Sequence, residues 1–492
     1  MTPLEKLSGW ASEVTLDAVP GRVVELAKSQ ILSQLAAVRA GAAHPEGKRL
    51  LRAYGPILHR DARRTAFVLS GLSSWLHFDD TAYAGHLGNS TVTVPLAYAY
   101  AHRLSGSELL SAVIAANECA ARVTAATTLG PFRGQMAAHT HLVGAIAGWS
   151  RCAAAKAEAW TDAFGLALAM PPWNLTHGFL GSDARLLSSA VPVRLGLDAC
   201  VAAEAGLRGA PDILDHPRGF LARFADVPLP HVVSAGLGRR WHTDTLSFKV
   251  HPSGPGTDAA VDCAMALWGR LGAPAVDDVA EVVVHASLYT LLVHQAAAEY
   301  VHGPDSPVSA LVSTTPYPVA TALLTGVLTP ADFAAPAVED SLRWALAGKV
   351  RLAHDPEMTA SLLASDAPFG ESIRAAGDRA TTWLRGFGGD RLVELADAVP
   401  PRAPRRRSFV RASKATPARV VLRMTDGREY EHCVEHPVGA AGSSTRDGHR
   451  ELMRTKFASV GGSARVAGAI DALDELSGDQ VRRLITAALS RR

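Results

Sequence analysis

A chain of 492 residues, 48% apolar and 20% charged, has the length for two or three domains around a sizeable core and is far from a disordered composition. Its net charge of +2 lacks the concentrated basic face that phosphate backbones require, so nucleic acid is excluded as the main partner. The nineteen histidines supply candidates for proton transfer near neutral pH.

The five cysteines are widely spaced, so no CxxC metal or redox pair exists and a reducing compartment fits. The first residues, MTPLEKLSGWA, lack the basic start and apolar stretch of a secretory leader. No charge-free apolar run reaches ~18 residues, so no membrane partner is expected and a cytoplasmic location is.

The first half reads as helices. Thr2, Pro3 and Glu5 form a capping-box start, followed by Leu4, Leu7 and Trp10 at helical spacing. Val23, Leu26, Ile31 and Leu35 continue the period. Residues 76–95, LHFDDTAYAGHLGNSTVTVP, then place Asp79 and Asp80 beside Thr81, bracketed by His77 and His86. Such a cluster before a helix joins an acid/base group to donors that favour an anion. The alternative is a helix cap with solvated neighbours.

Residues 107–127 and 144–160 are Ala-rich helical stretches whose small side chains suit a tight bundle. Ahead of the second stretch, GQMAAHTHLVGAIAG carries His139 and His141. A His-x-His pair shares one face on a strand, but here the surroundings are helical, so the imidazoles should diverge and no metal is expected. One of them is a candidate acid/base at a helix start; a hydrogen-bonded structural histidine is the alternative. Arg185 stands just upstream of another helix, as a two-pronged carboxylate ligand or a surface arginine.

Near Ser247 the pattern changes. LSFKVHPSGPGTDAAVD is a Pro/Gly loop carrying Lys249 and His251, either a cradle for an anion or a connector. EVVVHASLY, within 279–289, and residues 349–353 read as strands. Tyr317 lies between two prolines, with its hydroxyl either aimed at a ligand or bonded to a core carbonyl. Thr329, Pro330 and Asp332 open a further helix. Residues 365–417 look like an insertion. Its basic run of Arg402, Arg405, Arg406, Arg407, Arg411 and Lys414 is either a site for nucleic acid or an acidic partner or, having no aromatic platform, a solvated loop, the reading favoured here. Residues 419–424 and 428–434 flank Asp426-Gly427, a strong hairpin signal. Helical periodicity returns from Gly448.

Taken in order, these segments resemble the MmgE/PrpD family, which includes 2-methylcitrate dehydratase, cis-aconitate decarboxylase and iminodisuccinate epimerase. HFDDT with HLGNSTVTVP is similar to its FDD-T…HP…VP segment, and AHTHLVGAIAG to its GFH-T…G…GAA segment. RLLSSAVPVRLGLDACVAAEAGLRGAPDIL is similar to its K-LHPG stretch. STTPYPVATALLTGVLTPADF and KVRLAHDPEM resemble its FS–Y-VA-ALL-G and KV…DPE blocks, and ARVVLRMTDGREYE with TKFASV its final hairpin and KF signature.

The resemblance implies a mostly α fold: a discontinuous all-helical domain plus a smaller α+β lid domain. Its boundaries would be 1–247, 248–446 with the insertion, and 447–492 returning to the helical part. It also implies a homodimer without metal or cofactor and an active site between the domains. Thr81, His86, His139, Lys249 and Tyr317 fall on the family's pocket positions, with His141 competing with His139. Three positions depart: His77 replaces an aspartate, Arg185 a lysine and Gly254 a histidine that His251 would substitute.

The expected activity is that of a cofactor-free lyase, a dehydratase or decarboxylase acting on a small polycarboxylate or related acid. Such chemistry needs a base, an acid and a sink for enolate charge. His139 and His86 are candidates for base and acid. Arg185 and Lys249 would clamp carboxylates, with Tyr317 a second proton donor. His77, Thr81, His141 and His251 would contact substrate. An isomerase or epimerase using the same proton abstraction is the alternative, and a non-catalytic ligand-binding homologue is a third reading.

Overall fold

The central helix Gly106–Thr127 owes its start to Ser105, whose hydroxyl accepts from the Glu108 N–H while the Glu108 carboxylate accepts from the Ser105 N–H. In the computed structural model, which describes residues 1–130, 138–398 and 408–490, this helix is buried along almost its whole length. Its Ala-rich surface lets Gly21–Ala43 and Ala138–Cys152 pack closely, with Ala62–Ser74, Thr93–His102 and Arg185–Glu204 completing the bundle. One close approach is at Gly41, where a Cβ would overlap the backbone carbonyl of Leu72. Gly106–Thr127 and Arg185–Glu204 have the length and apolarity of membrane spans, but the first buries its apolar window completely within the bundle and the second about half.

The central helix also carries a buried ion pair, Glu118 with Arg122 at 3.3 Å. Arg122 donates to the carbonyls of Ala235 and Arg240, and Glu118 accepts from the backbone and hydroxyl of Thr243. Buried charges need such full pairing. These bonds lash residues 235–243 to the bundle just before the chain changes character.

That change is a short strand pair. β1 (Asp80–Thr81) runs antiparallel to β2 (Ser247–Phe248), joining the acidic segment to the Pro/Gly loop. A four-stranded sheet follows, built from β3 (Val279–Ala286), β4 (Val350–His354), β5 (Ala418–Met424) and β6 (Glu429–Val434). Its order is β4-β3-β5-β6, with β3 and β4 parallel and the other pairs antiparallel. Thr257–Leu271 packs on β5 and β6, and Pro316–Thr325 packs on that helix. The β5–β6 turn is at Asp426-Gly427, with Gly427 at φ 88°. Ser443–Ser459 then lies on Gly21–Ala43, and Gly478–Leu489 on Thr93–His102. The fold is thus mostly α with a smaller α+β part.

Three local expectations are corrected. The stretch 144–160 is not one helix: Ala138–Cys152 ends, Ala154 takes a left-handed φ of 50°, and Ala157–Leu168 starts afresh. Nothing in the small-residue pattern marks that reversal. Thr329 and Asp332 do form a capping box, but it opens only the single turn Pro330–Phe333. The supposed insertion is not loop in its first part, which folds into Gly370–Ala376, Ala380–Gly388 and Asp390–Ala398. Glu371 pairs with Arg240, Ser372 donates to the Ala125 carbonyl, and Trp383 donates to the Gly130 carbonyl. These bonds dock the segment on the end of the central helix. Arg402, Arg405, Arg406 and Arg407 lie outside the described residues.

Two alanine substitutions separate packing from propensity. Gly41→Ala must push helices apart and should destabilise by about 1–3 kcal/mol. Gly448→Ala, on an exposed helix face with open space around it, should stabilise by about 0.5–1 kcal/mol. Denaturation midpoints check both, and a Gly41→Ala midpoint equal to wild type would refute the close approach.

Candidate active site

The loop after Ala62–Ser74 enters the site under strain, with His77 at a left-handed φ of 49°. Asp79 follows, fully buried, and accepts from His86 Nδ1 at 2.8 Å and from Asn89 Nδ2 at 2.6 Å. Burial raises its pKa, but His86, Lys249 and Lys456 outweigh that and leave it below the usual carboxylate value. An ionised carboxylate only accepts. The shared proton therefore sits on Nδ1, and Nε2 of His86 is the lone-pair nitrogen left for a ligand.

His86 lines a cavity of about 190 Å³ where the bundle meets the mixed part. His77, His139, His141 and Arg185 line the same cavity. His77 stacks on His86 with ring centroids 5.0 Å apart and planes 15° from parallel. His139 and His141 both lie within Ala138–Cys152, rather than ahead of it, and both reach the cavity instead of diverging. Burial pushes their pKa values down to about 4 and about 3, so both rings are neutral at pH 7. His139 Nε2 is 2.8 Å from Thr127 Oγ1, whose proton has carbonyl acceptors at Val123 and Thr124.

Arg185 is the first residue of its helix and is buried. Its Nε and Nη2 donate to the Ser74 carbonyl at 3.1 and 3.0 Å, and its guanidinium lies 4.8 Å from the Phe179 ring centre. Nη1 has no partner among the described residues. Burial without a carboxylate pushes its pKa down to about 9, which still leaves it charged at pH 7. An anion in the cavity satisfies this orphan donor.

Behind His86 lies a second layer of charge. Asp80 accepts from Gln34 at 2.8 Å, Gln30 at 3.2 Å and the Gly88 N–H at 3.0 Å. Burial and the neighbouring Asp79 charge push its pKa up to about 6. Lys456 donates to Ser33 and to the Phe78 carbonyl, and burial pushes it down to about 7 against the pull of Asp79 and Asp80. Lys414 donates to Thr81 at 3.0 Å; burial and the Lys249 charge push it down to about 8.

Four expected site residues stand off the cavity wall. Thr81 faces Lys414. Lys249 donates to the Ser253 carbonyl and lies 3.9 Å from Asp258, supporting the acidic segment from behind. His251 is turned onto Asp262 at 3.0 Å. Tyr317 is turned into the core, its hydroxyl donating to the Asp332 carbonyl at 2.6 Å between Phe333 and Trp344. Missed altogether were Asn89, which anchors Asp79, and an aromatic wall of Phe369, Trp383 and Phe387 from the supposed insertion. Among the described residues no three His, Cys, Asp or Glu side chains gather as metal ligands.

Two family descriptions match the chain: the MmgE/PrpD N-terminal domain over residues 5–231 and the MmgE/PrpD C-terminal domain over residues 251–384. The cavity draws on both matched regions, with His86, His139 and Arg185 in the first and Phe369 and Trp383 in the second. No curated protein matches the chain.

The depressed histidines make acid stability a test of their burial. A histidine with a folded pKa below its unfolded value of about 6.5 stabilises fully above that pH, and the contribution fades as pH falls toward the folded value. For His139 the window runs from about 6.5 down to about 4. His139→Gln keeps a donor toward Thr127 and should remove about one proton from the pH dependence of unfolding between pH 5 and 6.5. Equal slopes in wild type and variant would show that His139 is not held neutral.

Proposed function

The chain belongs to the MmgE/PrpD family, which includes dehydratases and related enzymes, and from that premise we propose that it is a lyase eliminating water or CO₂ from a small carboxylic acid. The observation that carries this reading is the shared cavity of a carboxylate-oriented His86 and an arginine with an unpartnered donor.

Arg185 Nη1 takes one substrate carboxylate, which sets the carbon beside it against His86. His86 Nε2 is the base, with Asp79 holding its tautomer and balancing the imidazolium that forms. This moves the base away from His139, since an imidazole held near 4 is a weak proton acceptor at pH 7. The C–H electron pair delocalises into the carboxylate as an enolate-like dianion. Arg185 stabilises it electrostatically, and the neutral ring of His141 offers an N–H dipole without itself ionising. In elimination the C–O bond then breaks, the new double bond forms, and the His86 imidazolium returns its proton to the departing oxygen as water. In decarboxylation the C–C bond breaks first, its electron pair stays on carbon as a carbanion, and His86 passes a proton from solvent to that carbon. Each variant conserves atoms and returns His86 to its starting state.

The reading is tested by assaying small acids for water or CO₂ loss in wild type, His86→Ala and Asp79→Asn. His86→Ala should lose about 10²–10⁴-fold in kcat/KM. Asp79→Asn should lose on the order of 10²-fold or more, because an amide no longer fixes the Nδ1–H tautomer. His86→Ala activity within about threefold of wild type rejects the assignment, since it falls far short of the loss expected for a general base. Solvent deuterium entering the substrate with neither water nor CO₂ released makes the protein an isomerase or epimerase instead.

A further inference from the structure

We propose that the acid taken by this cavity is a monocarboxylate with an apolar arm, its carboxylate on Arg185 and its arm on the wall formed by Phe369, Trp383 and Phe387. The inference rests on the reading of this cavity as the substrate site, but not on which bond is broken there.

Among the described lining residues, the cationic side offers one carboxylate ligand. Two nitrogens of Arg185 are spent on the Ser74 carbonyl and the guanidinium is stacked on Phe179, so it presents one fixed donor edge through Nη1. Among the described lining residues it is the single arginine, and none is lysine. The nearby lysines face away. Lys249 is on the Ser253 carbonyl, Lys414 on Thr81, and Lys456 on Ser33 and the Phe78 carbonyl. His139 and His141, neutral by burial, add dipoles but no charge.

The opposite character comes from residues 365–388. Trp383 stacks on Phe387 with centroids 4.8 Å apart and planes 15° from parallel, and Phe369 sits 5.1 Å from Trp383. Tyr289 packs edge-on to Phe369 at 5.0 Å. Trp383 has given its N–H to the Gly130 carbonyl, so the surface it leaves for a ligand is carbon. A second or third carboxylate set against these rings loses its water, and the rings offer it no donor, which is unfavourable. An alkyl or aryl arm there instead removes apolar area from water on both partners.

Equilibrium binding to the full-length protein, by calorimetric titration without turnover, tests this with four probes: 3-phenylpropionate, hexanoate, acetate and citrate. The two apolar monocarboxylates should bind about tenfold or more tighter than either acetate or citrate. Arg185→Gln should weaken them about tenfold or more. Phe387→Ala should weaken 3-phenylpropionate about fivefold or more while leaving acetate unchanged. Phe387→Leu, which keeps bulk on this half-buried position, should give an intermediate loss and guards against a folding defect. Thermal midpoints of all variants are measured alongside. Tighter binding of citrate, failure of both apolar acids to bind at millimolar concentration, or unchanged affinity in both folded Phe387 variants overturns the proposal. The outcome separates from the lyase assignment: selective binding of the apolar acids upholds the site chemistry whatever the lyase assay returns, whereas turnover of a tricarboxylate supports the lyase and overturns this proposal.

Discussion

Two adjacent carboxylates with almost no access to water impose the constraint around which this protein is arranged. Asp79 and Asp80 are both fully buried, and the charge on one opposes ionisation of the other. The chain answers with donors from distant parts of the sequence. Gln30 and Gln34 come from one helix and His86, Gly88 and Asn89 from the following loop and short helix, while Lys456, held on the Phe78 carbonyl, adds its charge from the C-terminal helices. The result is asymmetric: Asp79 is held below the ordinary carboxylate range and Asp80 above it. One acid orients an imidazole while its neighbour, tied to amides, anchors the backbone. Through β1 and β2 the same residues join the helical bundle to the mixed part, so the joint between the two is also the back wall of the site.

Desolvation then sorts the histidines into different tasks. His86 has a carboxylate partner and an open nitrogen, the combination that suits a base. His139 and His141 lack an anionic partner, and burial keeps them neutral. One residue type thus supplies a proton acceptor and two uncharged dipoles within a single cavity. The difference arises from partners and burial rather than from the imidazole itself.

The residues that close the cavity came from the segment least interpretable as sequence. Residues 365–388 contain Gly, Pro and scattered aromatics without a long period, which is the pattern of a loop. They fold because short helices find anchors on the bundle: Glu371 on Arg240, Ser372 on a carbonyl of the central helix, Trp383 on Gly130. Each bond joins residues more than a hundred positions apart, and local propensity carries no information about such partners. Helices this short are marginal in isolation and take their stability from docking.

Local pattern, by itself, determined a great deal. The capping box at Thr2, the β-branched run of β3 and the Asp-Gly hairpin were legible because each is encoded within a few residues. The ordered blocks identified a family, and with it a mostly α fold with a smaller α+β part. The tertiary structure alone decided which chemistry-bearing side chains meet. It brought both His139 and His141 to the cavity and turned Tyr317 into the core. It put Lys249 and Lys414 behind the acidic pair and built an aromatic wall from an apparent insertion. The physical reason is range. Caps, turns and periodicity depend on neighbours a few residues away, whereas a charge state or a cavity wall depends on what the fold carries in from hundreds of residues distant.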